Sequence, residues 1–372
     1  MVLDLATAAR ERDIVTASIN DSIARFVAWH ASKQPGGVTR TTMVYGVDKP
    51  IPGVLTGVPT GATLTDSTDT TTALVISSPG TYRRQRFLRR VDVRSRGVRF
   101  EECEFTGGPT AHTSDHGLLQ VTSDLFVGAG EADDVQVIDC TFRPRALGNR
   151  VNGFLGWHTR FERCDFTRVV DPFGVHGFNW WTANGQPTNY PAGFSAKGCT
   201  WHDLYFDAAD YQSDGYTHND GVQIQGGDNG VVLGCWGVSR RDPAIGYQPD
   251  VGQYTGGRTL SNILIQANVG TPTGWVIDRN WFDAAHLSIN ISTAITALQI
   301  SGNRFDGTAS GRDINSDMSP TDRPSVLVYD NTRANGTTVN VRRGSTSSQD
   351  TAPTAPAASS TYDDATYDNA TY

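Results

Sequence analysis

The chain has 372 residues, of which 38% are hydrophobic, only 19% are charged and 39 are glycine. Many turn-forming residues with few charges and modest hydrophobicity are typical of a β-rich protein and argue against a helical one. The formal net charge of -8 disfavours nucleic-acid binding, because phosphate backbones bind positive surfaces. No segment approaches the ~20 apolar residues of a membrane span, so membrane insertion is not expected.

The N-terminal residues 1–37 are predicted to form a helical cap. Residues 13–33 have the apolar periodicity of an amphipathic helix, and the Gln34-Pro35-Gly36-Gly37 segment would end it. We expect this helix to close one end of the core or, alternatively, to dock a partner. Residues 38–79, rich in Thr, Gly and Pro, are expected to form leading strands and loops. The first residues lack the basic and apolar regions of a secretion signal, which indicates a protein that is intracellular or assembles into something larger.

A basic cluster opens the predicted core. It consists of Arg83, Arg84, Arg86, Arg89 and Arg90. The cluster is either a patch for an anionic ligand or, as we favour, a solvated strand face near the start of the core.

Eight short repeats within residues 80–343 share one sequence pattern. Each has a mostly apolar residue three positions before a Cys or Asn, at Cys103, Cys140, Cys164, Cys199, Cys235, Asn280, Asn303 and Asn331. Period-2 alternation ending in a turn predicts a strand, and its recurrence predicts a solenoid. We therefore expect an all-β, right-handed parallel β-helix over residues 80–343, with coils stacked about 4.8 Å apart.

The Cys or Asn position is expected to face the interior at one corner of the stack. Stacked asparagine amides hydrogen-bond along a ladder and tolerate a left-handed turn, and a small thiol fills the same corner. Disulfides or a zinc site are the alternatives. The odd number of cysteines, their replacement by Asn in later repeats and the lack of a CxxC pair favour free thiols. Neither a metal nor a cofactor is expected.

A second repeated position places a polar residue at the start of an apolar strand. It comprises His116, Asn152, His176 and Asp220, each followed by glycine, and His286 without the glycine. Stacked coils would turn these residues into one polar stripe, and the glycines would let a ligand approach the backbone.

The densest polar segment, residues 214–228, follows an aromatic-rich insertion. If Val222 and Ile224 point inward, Gln223 and Gln225 point outward. Aromatic faces beside amides and carboxylates suit a sugar ring, which needs apolar stacking and hydroxyl partners. The predicted ligand-binding residues are His176, Trp180, Trp181, Tyr216, His218, Asp220, Gln223, Gln225 and His286.

Catalysis would require more than this patch. Glycoside hydrolysis uses two carboxylates, and a lyase needs a base and a cation beside a uronate. Candidates are Asp214, His218, Asp220 and Asp228, but nothing in their spacing fixes a pair. Asp and His at strand starts also cap turns, and we favour this structural role for any single one of them.

The C-terminal residues 344–372 are rich in Ser, Thr, Ala and Pro and end in a repeat, Thr361-Tyr362-Asp363-Asp364-Ala365 followed by Thr366-Tyr367-Asp368-Asn369-Ala370. This composition predicts a flexible linker followed by a short repeated peptide. The repeat could instead serve as an attachment strand.

The segment Thr217-His218-Asn219-Asp220-Gly221-Val222-Gln223-Ile224-Gln225-Gly226-Gly227 and the Cys-x-Phe turns resemble pectate-lyase-like β-helix proteins. Within that group the chain is most similar to minor tail proteins of phages infecting actinobacteria, through residues 169–177 and 280–283 as well. The resemblance covers about residues 75–335. The tandem aspartates of polygalacturonases and the arginine and calcium cluster of pectate lyases are not evident, so the resemblance to those enzymes concerns the fold alone.

The resemblance implies a phage tail fibre or tail-tip protein of the virion that recognises a bacterial surface polysaccharide. Its expected partners are that polysaccharide, other tail proteins and two further copies in a homotrimer. The alternatives are a polysaccharide depolymerase, a lyase or glycoside hydrolase acting in the same groove, and a structural spacer of the tail. An extracellular location is the alternative to the virion.

Overall fold

The computed structural model describes residues 39–40, 42–110, 116–121, 135–148, 150–175, 193–206, 217–227, 229–240, 259–268, 270–283, 285–292, 295–307, 312–316, 326–343 and 349–351. Within these residues the chain forms strands and no helix, and the strands build three parallel sheets. Successive strands pass from the first sheet to the second and third, and the cycle then repeats. The protein is a right-handed parallel β-helix, which confirms the predicted fold class. The predicted N-terminal helix lies outside the described residues.

The three sheets run along the length of the stack. The first consists of Thr65–Asp66 (β1), Gln85–Phe87 (β4), Glu104–Phe105 (β7), Thr141–Phe142 (β10), Asp165–Thr167 (β13), Thr200–His202 (β16), Trp236–Val238 (β19), Trp281–Asp283 (β22), Arg304–Asp306 (β25) and Thr332–Arg333 (β28). The second consists of Leu74–Ile76 (β2), Val91–Val93 (β5), His116–Val121 (β8), Val151–Gly156 (β11), Phe173–Val175 (β14), Asp220–Ile224 (β17), Ser261–Ile265 (β20), Leu287–Ile291 (β23), Ile314–Ser316 (β26) and Val341–Arg343 (β29). The third consists of Gly80–Arg83 (β3), Val98–Glu101 (β6), Val135–Ile138 (β9), Thr159–Glu162 (β12), Ser195–Lys197 (β15), Val231–Leu233 (β18), Thr273–Asp278 (β21), Thr296–Ser301 (β24) and Val326–Tyr329 (β27). The sheets thus begin at residue 65, inside the segment 38–79 that was expected to hold leading strands.

The core forms because equivalent side chains of successive coils stack in columns. In the first sheet Phe105, Phe142 and Phe166 pair in register. Their ring centroids lie 4.6 and 4.3 Å apart, close to the spacing of the strands themselves. All three rings are fully buried, so each added coil extends one continuous apolar column.

A two-residue turn joins the third sheet to the first in eight successive coils. The first residue of each turn has a left-handed φ between 49° and 62°, at Glu102, Asp139, Arg163, Gly198, Gly234, Arg279, Gly302 and Asp330. The left-handed residue therefore precedes the Cys or Asn and is not the ladder residue itself. Glycine suits Gly234 doubly, because a Cβ there would lie 2.4 Å from the backbone nitrogen of Gly46.

The second residue of each turn builds the predicted ladder. Asn280 Nδ2 donates to Asn303 Oδ1 at 2.9 Å, and Asn303 Nδ2 donates to Asn331 Oδ1 at 3.0 Å. The five cysteines are free and buried, as predicted. Burial raises the pKa of the Cys164 and Cys235 thiols well above its ordinary value, so these groups are neutral.

Residues 42–58 run along the outside of the stack instead of forming a coil, and we call them the strap. The Tyr45 hydroxyl accepts a hydrogen bond from Arg163 Nη1 at 2.8 Å, and Lys49 Nζ lies 3.8 Å from the centroid of the Trp236 ring. The strap thereby contacts coils that are far apart in the sequence. The sequence pattern did not anticipate it.

Residues 349–351 lie against the last coil. Gln349 Oε1 accepts hydrogen bonds from Asn331 N at 2.9 Å and Asn331 Nδ2 at 3.1 Å, and Asp350 Oδ2 accepts one from Val328 N at 2.9 Å. Gln349 therefore takes the place of a further rung of the ladder. It belongs to the segment predicted to be a flexible linker; the Tyr-containing repeat lies outside the described residues.

Candidate functional site

The lengths of the connections single out the second sheet. The turns from the third sheet to the first contain two residues from Glu102 onward, whereas the connections that border the second sheet include residues 122–134, 176–194, 203–219 and 239–260. Long loops on a rigid scaffold are where binding and catalytic residues concentrate. The outer side of the second sheet is therefore the candidate site.

One outward column runs along this side, and the register of the strands defines it. We call it the second-sheet face; it consists of Val75, Asp92, Gln120, Leu155, Gly174, Gln223, Leu264, Asn290, Asn315 and Arg342. Amide groups recur along it with aliphatic residues between them. Asn315 Nδ2 donates to Asn290 Oδ1 at 3.0 Å, which aligns two of the amides. Gln223 and Asn290 are half-buried and Arg342 is exposed, whereas Leu155 and Leu264 are only 3% exposed. The polar members of this column offer hydrogen-bond partners to a sugar ring.

The predicted alternation in β17 holds. Val222 and Ile224 are fully buried, and Gln223 between them is half-buried and faces outward. Gln225 continues the alternation beyond the strand, but only 7% of it is exposed. Gln120 of the second-sheet face has the same low exposure, whereas Gln223 is more open.

The column at the strand starts differs from the predicted one. Asp171 N donates to Asn152 Oδ1 at 3.1 Å, and Asp220 N donates to Asp171 Oδ1 at 2.8 Å. Asp171 therefore lies between Asn152 and Asp220, in the position that the sequence pattern assigned to His176, which itself lies outside the described residues. Asp171 was missed because residues 169–177 contain two polar residues and the sequence does not fix which one enters the column.

The two other histidines of that pattern are out of register by one residue. His116 pairs with Val151, not with Asn152. Ser261 pairs with Asp220 and is therefore the next member of the column. Because Ser261 pairs in turn with Leu287, His286 lies one position before the column. A shift of one residue is decisive in a strand, because neighbouring side chains point to opposite sides.

Asp220 is removed from solvent. The residue is fully buried, and the Ser261 hydroxyl donates a hydrogen bond to Asp220 Oδ1. Burial, followed by the nearby carboxylate of Asp171, raises the pKa of Asp220 well above its ordinary value. These features describe a neutral carboxylic acid that joins two coils, in agreement with the structural alternative given above.

The remaining predicted site residues divide into two groups. His218 and His286 are half-buried, and His218 stands directly before the buried Asn219, whose Nδ2 donates to Val170 O at 2.9 Å. The others lie outside the described residues: His176, Trp180, Trp181, Asp214, Tyr216 and Asp228. Asp171 and Ser261 are the members that sequence reasoning missed.

A separate titratable cluster lies on the outer side of the first sheet. His202 Nδ1 is 2.7 Å from Asp203 Oδ2, and His202 Nε2 is 3.3 Å from Asp165 Oδ1. Burial alone would lower the pKa of His202, but the two carboxylates outweigh it and raise the pKa to about 10. The ring is thus a permanent cation at neutral pH, which suits a structural ion pair better than proton transfer.

No protein-family model matches the chain, and no curated protein matches it either. Among the described residues, no group of three or more His, Cys, Asp or Glu side chains is placed to hold a metal ion. In the same part of the chain, no helix is long and apolar enough to cross a membrane.

Proposed function

We propose that this protein is a phage minor tail protein, a tail fibre or tail-tip component, that binds a bacterial surface glycan along the second-sheet face. The observation that supports this proposal best is that the long connections border the same sheet that carries a column of outward amide side chains. The pectate-lyase-like sequence features of residues 217–227 support the phage context, since they resemble minor tail proteins.

The chemistry of the second-sheet face matches an extended polysaccharide. The coil spacing of about 4.8 Å is comparable to the length of one sugar ring, so successive rungs can meet successive sugars. Gln223 and Asn290, both half-buried, supply donors and acceptors for hydroxyl groups. A polysaccharide lying along the stack would thereby make the same kinds of contact at several rungs.

Binding to cell-wall polysaccharide purified from actinobacteria tests the proposal. Gln223→Ala and Asn290→Ala should each weaken binding about fivefold to tenfold, the value of one net hydrogen bond. Gln299→Ala is the matched control, because Gln299 faces outward from the third sheet in the same coil as Asn290 and is also half-buried. If the three variants bind the polysaccharide equally well, the second-sheet face is not the binding site.

The same incubations separate the alternatives. A polysaccharide recovered intact supports a receptor-binding protein, whereas new reducing ends or 4,5-unsaturated uronates identify a glycoside hydrolase or a lyase. A protein that binds none of the polysaccharides is a structural spacer. As a tail fibre it should be a homotrimer contacting other tail proteins, and a mass measurement in solution tests the trimer.

A further inference from the structure

The basic cluster at the start of the core is largely neutralised by carboxylates. The contacts are Arg83 and Arg84 with Glu102, Arg86 with Glu104, and Arg90 with Asp92. This pairing fits the solvated strand face that we favoured over an anionic-ligand patch. Arg89, the fifth member, has no ion pair among the described residues, and its enclosed Nε has no hydrogen-bond partner.

Arg94, just beyond β5, is not neutralised in this way. Its backbone nitrogen donates to Ile76 O at 2.7 Å, so the strand pairing continues and Arg94 shares the outward direction of Asp92. The residue is half-buried, and its enclosed Nε has no hydrogen-bond partner. Within the described part of the chain, its guanidinium forms no ion pair. A partly desolvated guanidinium is strongly stabilised when an anion accepts its hydrogen bonds.

Gln120, in the adjacent coil, leaves an acceptor unused. It pairs in register with Asp92, only 7% of it is exposed, and its Oε1 receives no hydrogen bond. From the strand spacing and rise, Gln120 and Arg94 are about 8 Å apart at Cα. A bound group that carries both a hydroxyl and an anionic oxygen could satisfy the two residues together.

The opposite end of the second-sheet face repeats this arrangement. Arg342 is exposed and pairs in register with Asn315, whose Oδ1 is enclosed and receives no hydrogen bond. Arg342 forms no ion pair with any described residue. Between the two ends Asp92 is the column's sole carboxylate, and Arg90 neutralises it at 2.8 Å. In a chain of net charge -8, this column together with Arg94, which lies two residues beyond Asp92 on the same side of the sheet, has a surplus of positive charge.

We propose that the second-sheet face selects an anionic glycan, whose carboxylate or phosphate groups bind to Arg94 and Arg342. The proposal rests on the proposed glycan-binding function and specifies its ligand. Gln120 and Asn315 accept hydrogen bonds from hydroxyls of the same sugars. A neutral polysaccharide would leave both guanidinium groups without a counter-charge, and so binds more weakly.

The test uses the full-length protein and actinobacterial cell-wall polysaccharide separated by anion exchange into neutral and acidic fractions. The acidic fraction should bind at least about tenfold more tightly, as expected for charge-assisted hydrogen bonds. Chemical reduction of its carboxyl groups or removal of its phosphate with hydrofluoric acid then identifies the anion. Binding that survives both treatments overturns the proposal.

Variants locate the anion contacts. Arg94→Gln and Arg342→Gln should each weaken binding to the acidic fraction about tenfold without changing binding to the neutral one. Arg143→Gln is the charge-matched control, because Arg143 is exposed beside β10 in the first sheet. An equal effect of all three variants would indicate unspecific attraction and refute the two contacts.

If the neutral fraction binds equally well and Gln223→Ala weakens it, the glycan function stands and only the anionic specificity fails. If Gln223→Ala and Asn290→Ala change neither fraction, the glycan function itself fails.

Discussion

Replacing Asn303 by alanine should be among the most destabilising single changes in the ladder. Asn303 is fully buried, and its Nδ2 donates to Ile277 O and Asn331 Oδ1, both at 3.0 Å. Its Oδ1 accepts from Asn280 N at 3.0 Å and Asn280 Nδ2 at 2.9 Å. The alanine variant leaves Asn280 N without its acceptor, Asn280 Nδ2 with Val232 O alone, and Ile277 O without this donor. With about 1–3 kcal/mol for each unsatisfied buried group, the expected loss is about 3–5 kcal/mol.

Asn303→Cys provides the informative comparison, since cysteine fills the same position in earlier coils. Cys164 Sγ donates to Val137 O at 3.2 Å, the equivalent of the bond from Asn303 to Ile277 O. Cys140 Sγ likewise accepts from the backbone nitrogen of the preceding rung at 3.4 Å. A thiol should therefore restore part of both interactions and reduce the loss to about half that of alanine.

Urea unfolding followed by far-UV circular dichroism measures both free energies. Gln299→Ala again serves as the control. It removes one hydrogen bond, from Gln299 Nε2 to Ser301 Oγ at 3.0 Å, so we expect its free energy of unfolding to change by no more than about 1 kcal/mol. Equal losses for the alanine and cysteine variants would show that the thiols contribute only volume. A loss below about 1 kcal/mol for the alanine variant would contradict the hydrogen-bond account as a whole.

Three further predictions concern titratable and reactive groups. The stabilisation from His202 should be complete below pH 6.5 and be lost as the pH rises toward 10, because its folded-state pKa is the higher one. His202→Gln should abolish that part of the pH dependence in thermal unfolding, and an unchanged profile would exclude the ion pair. Asp220→Asn should leave stability near pH 3.8 almost unchanged but increase it at neutral pH, since the raised pKa of Asp220 makes its ionisation unfavourable in the folded state. Equal destabilisation at both pH values would contradict a neutral acid. The five buried cysteines should resist Ellman's reagent in the native protein and all react after unfolding without reductant. Fewer than five reactive thiols would reveal a disulfide.

The ladder could be predicted from the sequence because its chemistry is distinctive. A Cys or Asn recurs three residues after an apolar residue, and this constant spacing identified the same turn in eight coils. The column at the strand starts could not be aligned in this way. Connections of variable length precede each strand of the second sheet, and several polar residues compete for one position, as Asp171 and His176 do.

Features that do not recur from coil to coil could not be predicted from the sequence. The strap has neither strand nor helix periodicity, and its contacts with Arg163 and Trp236 join segments more than a hundred residues apart. The rung supplied by Gln349 lies in a segment whose composition is typical of a linker. Arg94 and Arg342 were missed because an unpaired charge can be recognised only when the neighbouring coils are known.

The strap has a consequence for how the protein folds. In most solenoids each repeat touches only its neighbours, so one end can open without affecting the other. Here Arg304 Nη1 donates to Gly46 O at 3.4 Å across 258 positions of the sequence. The strap leaves the ribosome before the coils that it contacts, so it can reach this final position only after residues near 304 have been synthesised. Its docking should be a late folding step that couples distant coils into one cooperative unit.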